Sequence, residues 1–142
     1  MANDMQGKTV LITGGTSGLG EQTAIALARM GARVVLTGRD AARAAASARK
    51  IAEDTGGQLE GMRLDLESLA DVRRFAGEFT QAHPRLDVLI NNAGGGYVDR
   101  RVTADGLEAS MATDHCGPFL LTALLLPALQ AAAPSRIITV SS

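Results

Sequence analysis

An α/β fold, a mainly parallel sheet covered by helices on both faces, is what the order of apolar runs in this chain predicts. Two observations carry it. Short runs rich in β-branched residues alternate with longer runs of helical character along the chain, and a glycine-rich turn joins the first strand to the first helix. Strand, helix, strand is a βαβ unit, whose crossover is right-handed in nearly all cases.

The elements follow in order. Thr9-Val10-Leu11-Ile12 reads as a buried strand, and Glu21 to Met30 as a helix with Thr23 to Ala28 on its apolar face and Gly31 at its end. Arg33 to Thr37 is a second strand. From Asp40 a helix runs through the alanine-rich patch to about Asp54 and stops at Gly56-Gly57. A third strand follows around Leu59 to Leu64, and then a helix from about Ser68 to Ala82, ended by His83-Pro84. Leu86 to Ile90 is a fourth strand, Phe119 to Ala133 a buried helix, and Arg136 to Val140 a fifth strand.

The turn Thr13-Gly14-Gly15-Thr16-Ser17-Gly18-Leu19-Gly20 stands where a phosphate-binding loop belongs. Glycines there permit a tight turn, let the backbone approach a pyrophosphate, and allow close packing of helix on sheet. The helix behind it offers unpaired N–H groups and the positive end of its dipole to the anion. A simple turn is the alternative, and the spacing Gly-x-x-x-Gly-x-Gly departs from the common Gly-x-Gly-x-x-Gly dinucleotide pattern.

Size and composition narrow the rest. At 142 residues, 46% of them hydrophobic, the chain fills one core, and a single domain over residues 1–142 is expected. A net charge of -1 with scattered basic residues makes nucleic acid a poor partner. One cysteine, Cys116, excludes an internal disulfide and an all-cysteine metal site, and no metal is expected. The first eight residues lack the apolar core of a secretory signal, and the run from Phe119 to Ala133, broken by Thr122, Pro127 and Gln130, is too short for a membrane span. A soluble, cytoplasmic protein is therefore the expectation.

After the second strand comes Gly38-Arg39-Asp40, where a dinucleotide fold reads the ribose. A carboxylate there selects NAD by bonding the 2′-hydroxyl, whereas arginine accommodates the 2′-phosphate of NADP. Arg39 supplies a planar fork of donors and Gly38 leaves room for the phosphate. Asp40 is either a ribose ligand or the cap of the helix it precedes; the cap, and NADP(H) over NAD(H), is the favoured reading.

With Asn91-Asn92-Ala93-Gly94 after the fourth strand, Asp65-Leu66 after the third and Val140-Ser141-Ser142 after the fifth, the chain resembles the short-chain dehydrogenase/reductase family. The tract from Thr103 to Pro127 is most similar to the branch of retinol dehydrogenases and related carbonyl reductases. The resemblance implies a Rossmann-type doubly wound sheet of order 3-2-1-4-5, truncated after the fifth strand. It implies an NADP-dependent oxidoreductase moving hydride between nicotinamide and a small-molecule carbonyl/alcohol pair. Gly14, Gly18 and Gly20 match the cofactor loop, with contacts from Thr16, Ser17 and Leu19. Asp65 matches the residue that bonds the adenine amino group, with Leu66 beside the ring, while Asn92, Ala93 and Gly94 line the cofactor. Ser142 matches the catalytic serine.

Two departures accompany the resemblance. Asp114 stands where the family has an asparagine whose main chain helps hold a water of the proton relay, and an added carboxylate would oppose a phenolate nearby. The chain also carries no Tyr-x-x-x-Lys pair, in which the tyrosine is the acid or base and the lysine lowers its pKa from about 10. Tyr97 is not followed by lysine four residues on. These 142 residues are accordingly expected to be inactive by themselves: the amino-terminal part of an enzyme, a non-catalytic NADP(H)-binding or pairing module, or a shortened product. An uncovered fifth-strand edge and a helix apolar on several sides, Leu120 to Leu129, imply self-association.

Overall fold

The computed structural model describes residues 4–95 and 97–141. Five parallel strands form one sheet in the order β3-β2-β1-β4-β5. They are β1 (Thr9–Ile12), β2 (Arg33–Gly38), β3 (Gln58–Arg63), β4 (Val88–Asn91) and β5 (Arg136–Thr139). The helices are α1 (Gly18–Arg29), α2 (Ala41–Thr55), α3 (Leu69–Ala82), a single turn α4 (Ala109–Met111) and α5 (Gly117–Ala131), the last two joined by a π-helical turn, Ala112–Cys116.

Strand side chains alternate between faces, and the core divides accordingly. Val10, Ile12, Val34, Leu36 and Ile90 pack against Ala24 and Ala28 of α1 and Ala44, Ala48 and Ile51 of α2. Leu11, Val35 and Leu89 face the other way, onto Phe75 and Phe79 of α3 and Leu121, Leu125 and Leu129 of α5. Small alanines bring α1 and α2 close to the sheet, whereas the opposite layer is filled by two fully buried phenylalanines. Truncating either ring would cost about 3–5 kcal/mol.

The helix ends follow from local chemistry. Asp40 caps α2, its Oδ1 accepting from the Arg43 N–H at 3.1 Å, and Gly56 closes that helix with φ of 71°. Ser68 caps α3 through the Asp71 N–H at 3.1 Å. α1 begins at Gly18, three residues before the Glu21 expected from the sequence, because the glycine turn itself winds into the helix.

The expected helix of Phe119 to Ala133 is part of a longer one. Ala109–Ala131 is a continuous helical segment of 23 residues containing an 18-residue window of mean hydropathy 1.2, long and apolar enough by length and composition to cross a bilayer. The helix is thus longer than the apolar run read from the sequence, through a π-helical turn that has no sequence signature, but it is not a clear membrane span. Its packing is that of a core helix, since Leu121, Leu125 and Leu129 are buried against α3 and the sheet. Phe119 and Leu126 point away, at 69% and 41% exposure, and all four residues of β5 are exposed at the sheet edge.

Candidate functional site

A cleft of about 450 Å³ opens at the carboxyl ends of β1, β2, β3 and β4, where the strand order reverses. Ligands of open α/β sheets bind at that crevice. Gly14, Thr16, Ser17, Leu19, Gly20, Arg39, Asp65, Leu66, Asn92, Ala93 and Gly94 all line it. Gly18, the first residue of α1, lies within the same turn.

The turn is held in place from both neighbouring strands. The Gly14 N–H donates to Thr37 Oγ1 at 3.3 Å and the Gly15 N–H to the Thr37 carbonyl at 3.1 Å. From the other side Thr13 Oγ1 accepts the N–H groups of Asn92 and Ala93, each at 3.1 Å. Asn92 Nδ2 in turn donates to the carbonyls of Thr13 and Gly14, at 3.1 and 3.2 Å. Two glycines are mechanically required. Gly14 has φ of 69° with Ala93 pressed against it, and a Cβ on Gly20 would stand 2.5 Å from both Asn92 Nδ2 and the Gly14 carbonyl oxygen.

Beyond the turn, Ser17 caps α1 without a side-chain hydrogen bond of its own, and the N–H groups of Gly18, Leu19 and Gly20 precede the first intrahelical bond, from the Glu21 N–H to the Ser17 carbonyl at 3.2 Å. Helix dipole and free donors thus point into the cleft. Together with the space that glycine leaves at positions 14 and 20, this fits a dinucleotide pyrophosphate. Arg39 stands at the far end, with its side chain 67% exposed.

The loop after β3 is braced from behind. Asp71 Oδ2 accepts the Asp65 N–H at 2.7 Å, and its Oδ1 receives Arg63 Nη2 and Arg74 Nε, both at 2.7 Å. Burial works to raise the Asp71 carboxyl, but the Arg74 and Asp65 hydrogen bonds and the two guanidinium charges outweigh it and hold its pKa below the ordinary value. Asp65 Oδ1 accepts the Glu67 N–H at 3.0 Å, so this carboxylate is at once a turn-former and a cleft residue. Glu67 also lies in the cleft, joined to Tyr97 and Arg101.

Asp114 is placed elsewhere. It belongs to the π-helical turn and lines a second, more apolar groove of about 970 Å³ between α5, β5 and the loop after β4. Its Oδ1 accepts the Gly95 N–H at 2.9 Å, so the carboxylate steadies the loop that lines the cofactor cleft. Thr113 beside it lines the first cleft with a buried hydroxyl that has no hydrogen-bond partner among the described residues, and the buried Oδ1 of Asn91, the last residue of β4, which lines the second groove, likewise has none. Ser142, the expected catalytic serine, lies outside the described residues.

Sequence reasoning missed Thr13, Thr37, Asp71, Glu67 and Arg101. Ser68-x-x-Asp71 has the spacing of a capping box, which was a signal for Asp71; its carboxylate, however, turns to Asp65 instead of back to Ser68. The others gave none, because their partners are distant in sequence.

Fold, cleft and glycine turn define an α/β domain of the dinucleotide-binding class. The sequence profile of the short chain dehydrogenase family matches residues 8–142, and the chain belongs to that family. Retinol dehydrogenase 14 of Mus musculus is 50% identical, over 97% of this chain and 45% of its own length. Dehydrogenase/reductase SDR family member 13 of Homo sapiens is 46% identical, over 98% of this chain and 37% of its own. A metagenomic short-chain oxidoreductase solved in complex with NADP superposes with a TM-score of 0.85 at 35% identity, covering 97% of this chain and 62% of that one. The chain thus spans less than half the length of these two curated relatives.

These relatives overturn the cytoplasmic expectation, since retinol dehydrogenases 12 to 14 and SDR family member 13 are membrane- or endoplasmic-reticulum-associated enzymes. The physical reason is that cellular location is set by anchors and surfaces that a nucleotide-binding fold need not contain.

Proposed function

We propose that this chain binds NADP(H) in preference to NAD(H) and forms the cofactor-holding part of an oxidoreductase that acts on a small-molecule carbonyl/alcohol pair. The observation that carries the reading is the turn Gly14–Gly20, clamped by Thr13, Thr37 and Asn92 beneath the free N–H groups of α1, with Arg39 at the ribose end of the same cleft. The NADP held by the metagenomic relative supports it.

Bound there, the nicotinamide would accept or deliver the hydride. The chain's own groups do the holding. Main-chain N–H groups of the turn receive the pyrophosphate, Arg39 receives the 2′-phosphate, and Asp65 and Leu66 border the adenine. Ala93 and Gly94 face the ring end of the cleft, with Asp114 fixing their loop through Gly95. Ser142 is proposed to polarise the substrate oxygen. As no Tyr-x-x-x-Lys pair is present among the 142 residues, we expect negligible turnover from this polypeptide alone.

Arg39→Ala tests the cofactor assignment. A charge-assisted hydrogen bond is worth about 1.5–3 kcal/mol, so NADP should bind roughly tenfold or more weakly in calorimetry while NAD is nearly unaffected. Equal losses for both would defeat it.

A second reading, a non-catalytic NADP(H)-binding or pairing module, is favoured by one feature. Exposed Phe119, Leu126, Ile137, Ile138 and Val140 gather on the side of α5 and β5. Self-association through the helix Leu120–Leu129 and the β5 edge is the corresponding proposal, and sedimentation of the chain over a concentration series checks it.

A further inference from the structure

Two guanidinium groups at the ribose end of the cleft share one carboxylate, Glu67, which the pyrophosphate and adenine contacts leave without a task. Glu67 Oε1 accepts from the Tyr97 hydroxyl at 2.5 Å and from Arg101 Nη2 at 2.6 Å, and its Oε2 accepts from Arg101 Nη1 at 2.9 Å. Arg101 therefore grips it with both prongs, and its guanidinium also rests 4.6 Å from the centre of the Tyr97 ring. Arg39 Nη1 stands 3.9 Å from the same Oε1. The carboxylate side chain is 13% exposed against 67% for Arg39, so the anion is the fixed member of the group and Arg39 the free one. The Arg101 and Tyr97 hydrogen bonds, aided by both cations, hold the Glu67 pKa below its ordinary value, which keeps it ionised at neutral pH.

The chemistry separates the two cofactors at this point. A 2′-phosphate seated on Arg39 brings negative charge beside the Glu67 carboxylate, and partial burial weakens the screening of that repulsion. NAD carries only a hydroxyl there, which a carboxylate tolerates or accepts from. Arg39 itself must choose, because the fork that turns to the phosphate turns away from Glu67. Resting on the cofactor reading above, we propose that Glu67 is a specificity-determining residue that competes with the cofactor's 2′-phosphate for Arg39 and so sets how strongly the cleft prefers NADP to NAD. Arg101 is the positioning residue of the group: it neutralises most of the Glu67 charge and keeps the carboxylate turned toward Tyr97.

Calorimetric affinities for NADP and NAD, measured on the chain and on Glu67→Gln, Arg101→Ala and Tyr97→Phe at low and high salt, test this. Glu67→Gln should tighten NADP about fivefold, at the upper end of what partly exposed charge pairs contribute, and change NAD less than about twofold. The gain should shrink as salt rises. Arg101→Ala should move the NADP-to-NAD ratio the opposite way, while Tyr97→Phe, which keeps every charge, should shift it by less than about a factor of two. Removing the charge from Glu67 without changing the ratio would overturn the proposal, as would equal losses for both cofactors, the mark of a merely structural contact. An unmodified chain that prefers NAD would defeat the NADP preference proposed above, yet a ratio moved fivefold by Glu67→Gln would still sustain this one. Absence of binding by all four proteins would defeat both.

Discussion

The two sides of this sheet differ in how completely their groups are used. On the β3-β2-β1 side, the loops at the strand ends are tied by hydrogen bonds from the Asn92 N–H to Thr13, from the Gly14 N–H to Thr37 and, more locally, from the Asp65 N–H to Asp71. The central strands β1 and β2 are covered: Val10, Leu11, Ile12, Val34, Val35 and Leu36 are fully buried, although the edge strand β3 is only partly so. On the α5-β5 side, Phe119 is 69% and Ile137 47% exposed, and β5 pairs only with β4. The same rules of burial operate on both. The difference shows that the loops around the first cleft are held together largely by side chains bonding to main-chain groups, whereas the groove beside Asp114 exposes apolar side chains.

The strongest way to break this contrast is to strike the tied side at Gly20. Gly20→Val places a side chain where only 2.5 Å separates a Cβ from Asn92 and the Gly14 carbonyl. We expect loss of measurable dinucleotide binding and about 2–3 kcal/mol of stability. Retained binding in calorimetry would show that the turn does not meet the pyrophosphate.

Asp71→Asn should come next, at about 1–2 kcal/mol by thermal denaturation, because two guanidinium groups lose the charge they share. Its pH dependence sharpens the point. The folded pKa of Asp71 is lowered, so its contribution is present above the unfolded value of about 3.9 and is lost as pH falls through the folded value. The variant should therefore lose less stability than the parent on acidification below about pH 4. Parallel curves would remove Asp71 from the account.

The smallest effect on folding is expected on the open side. Ile137→Lys puts a charge on an exposed edge and should alter monomer stability by less than about 0.5 kcal/mol. It should nevertheless suppress self-association seen by sedimentation or light scattering, since edge lysines oppose strand pairing. Unchanged association would move the contact away from β5.

Much of the cofactor side was legible because its chemistry is local. Glycine spacing, the cap Asp40 and the β-branched runs each act within a few residues, and each lies close to where the sequence puts it. Where the signal was not local, the reading fell short. Nothing in the sequence says that Arg101 reaches back to Glu67, or that the Asp71 carboxylate turns to the Asp65 N–H. The π-helical turn was equally hidden, since one extra residue per turn leaves no periodic mark over five residues.

By itself, then, the chain's order of residues determined the alternation of strands and helices, the phosphate turn and the family to which they belong. Hydrophobic period, glycine and capping all work at short range, so they are written along the chain. Only the folded sheet decided which side chains meet at its mouth. Glu67, Arg39, Arg101 and Tyr97 are up to 62 residues apart, and their charges interact because parallel crossovers return each loop to the same edge.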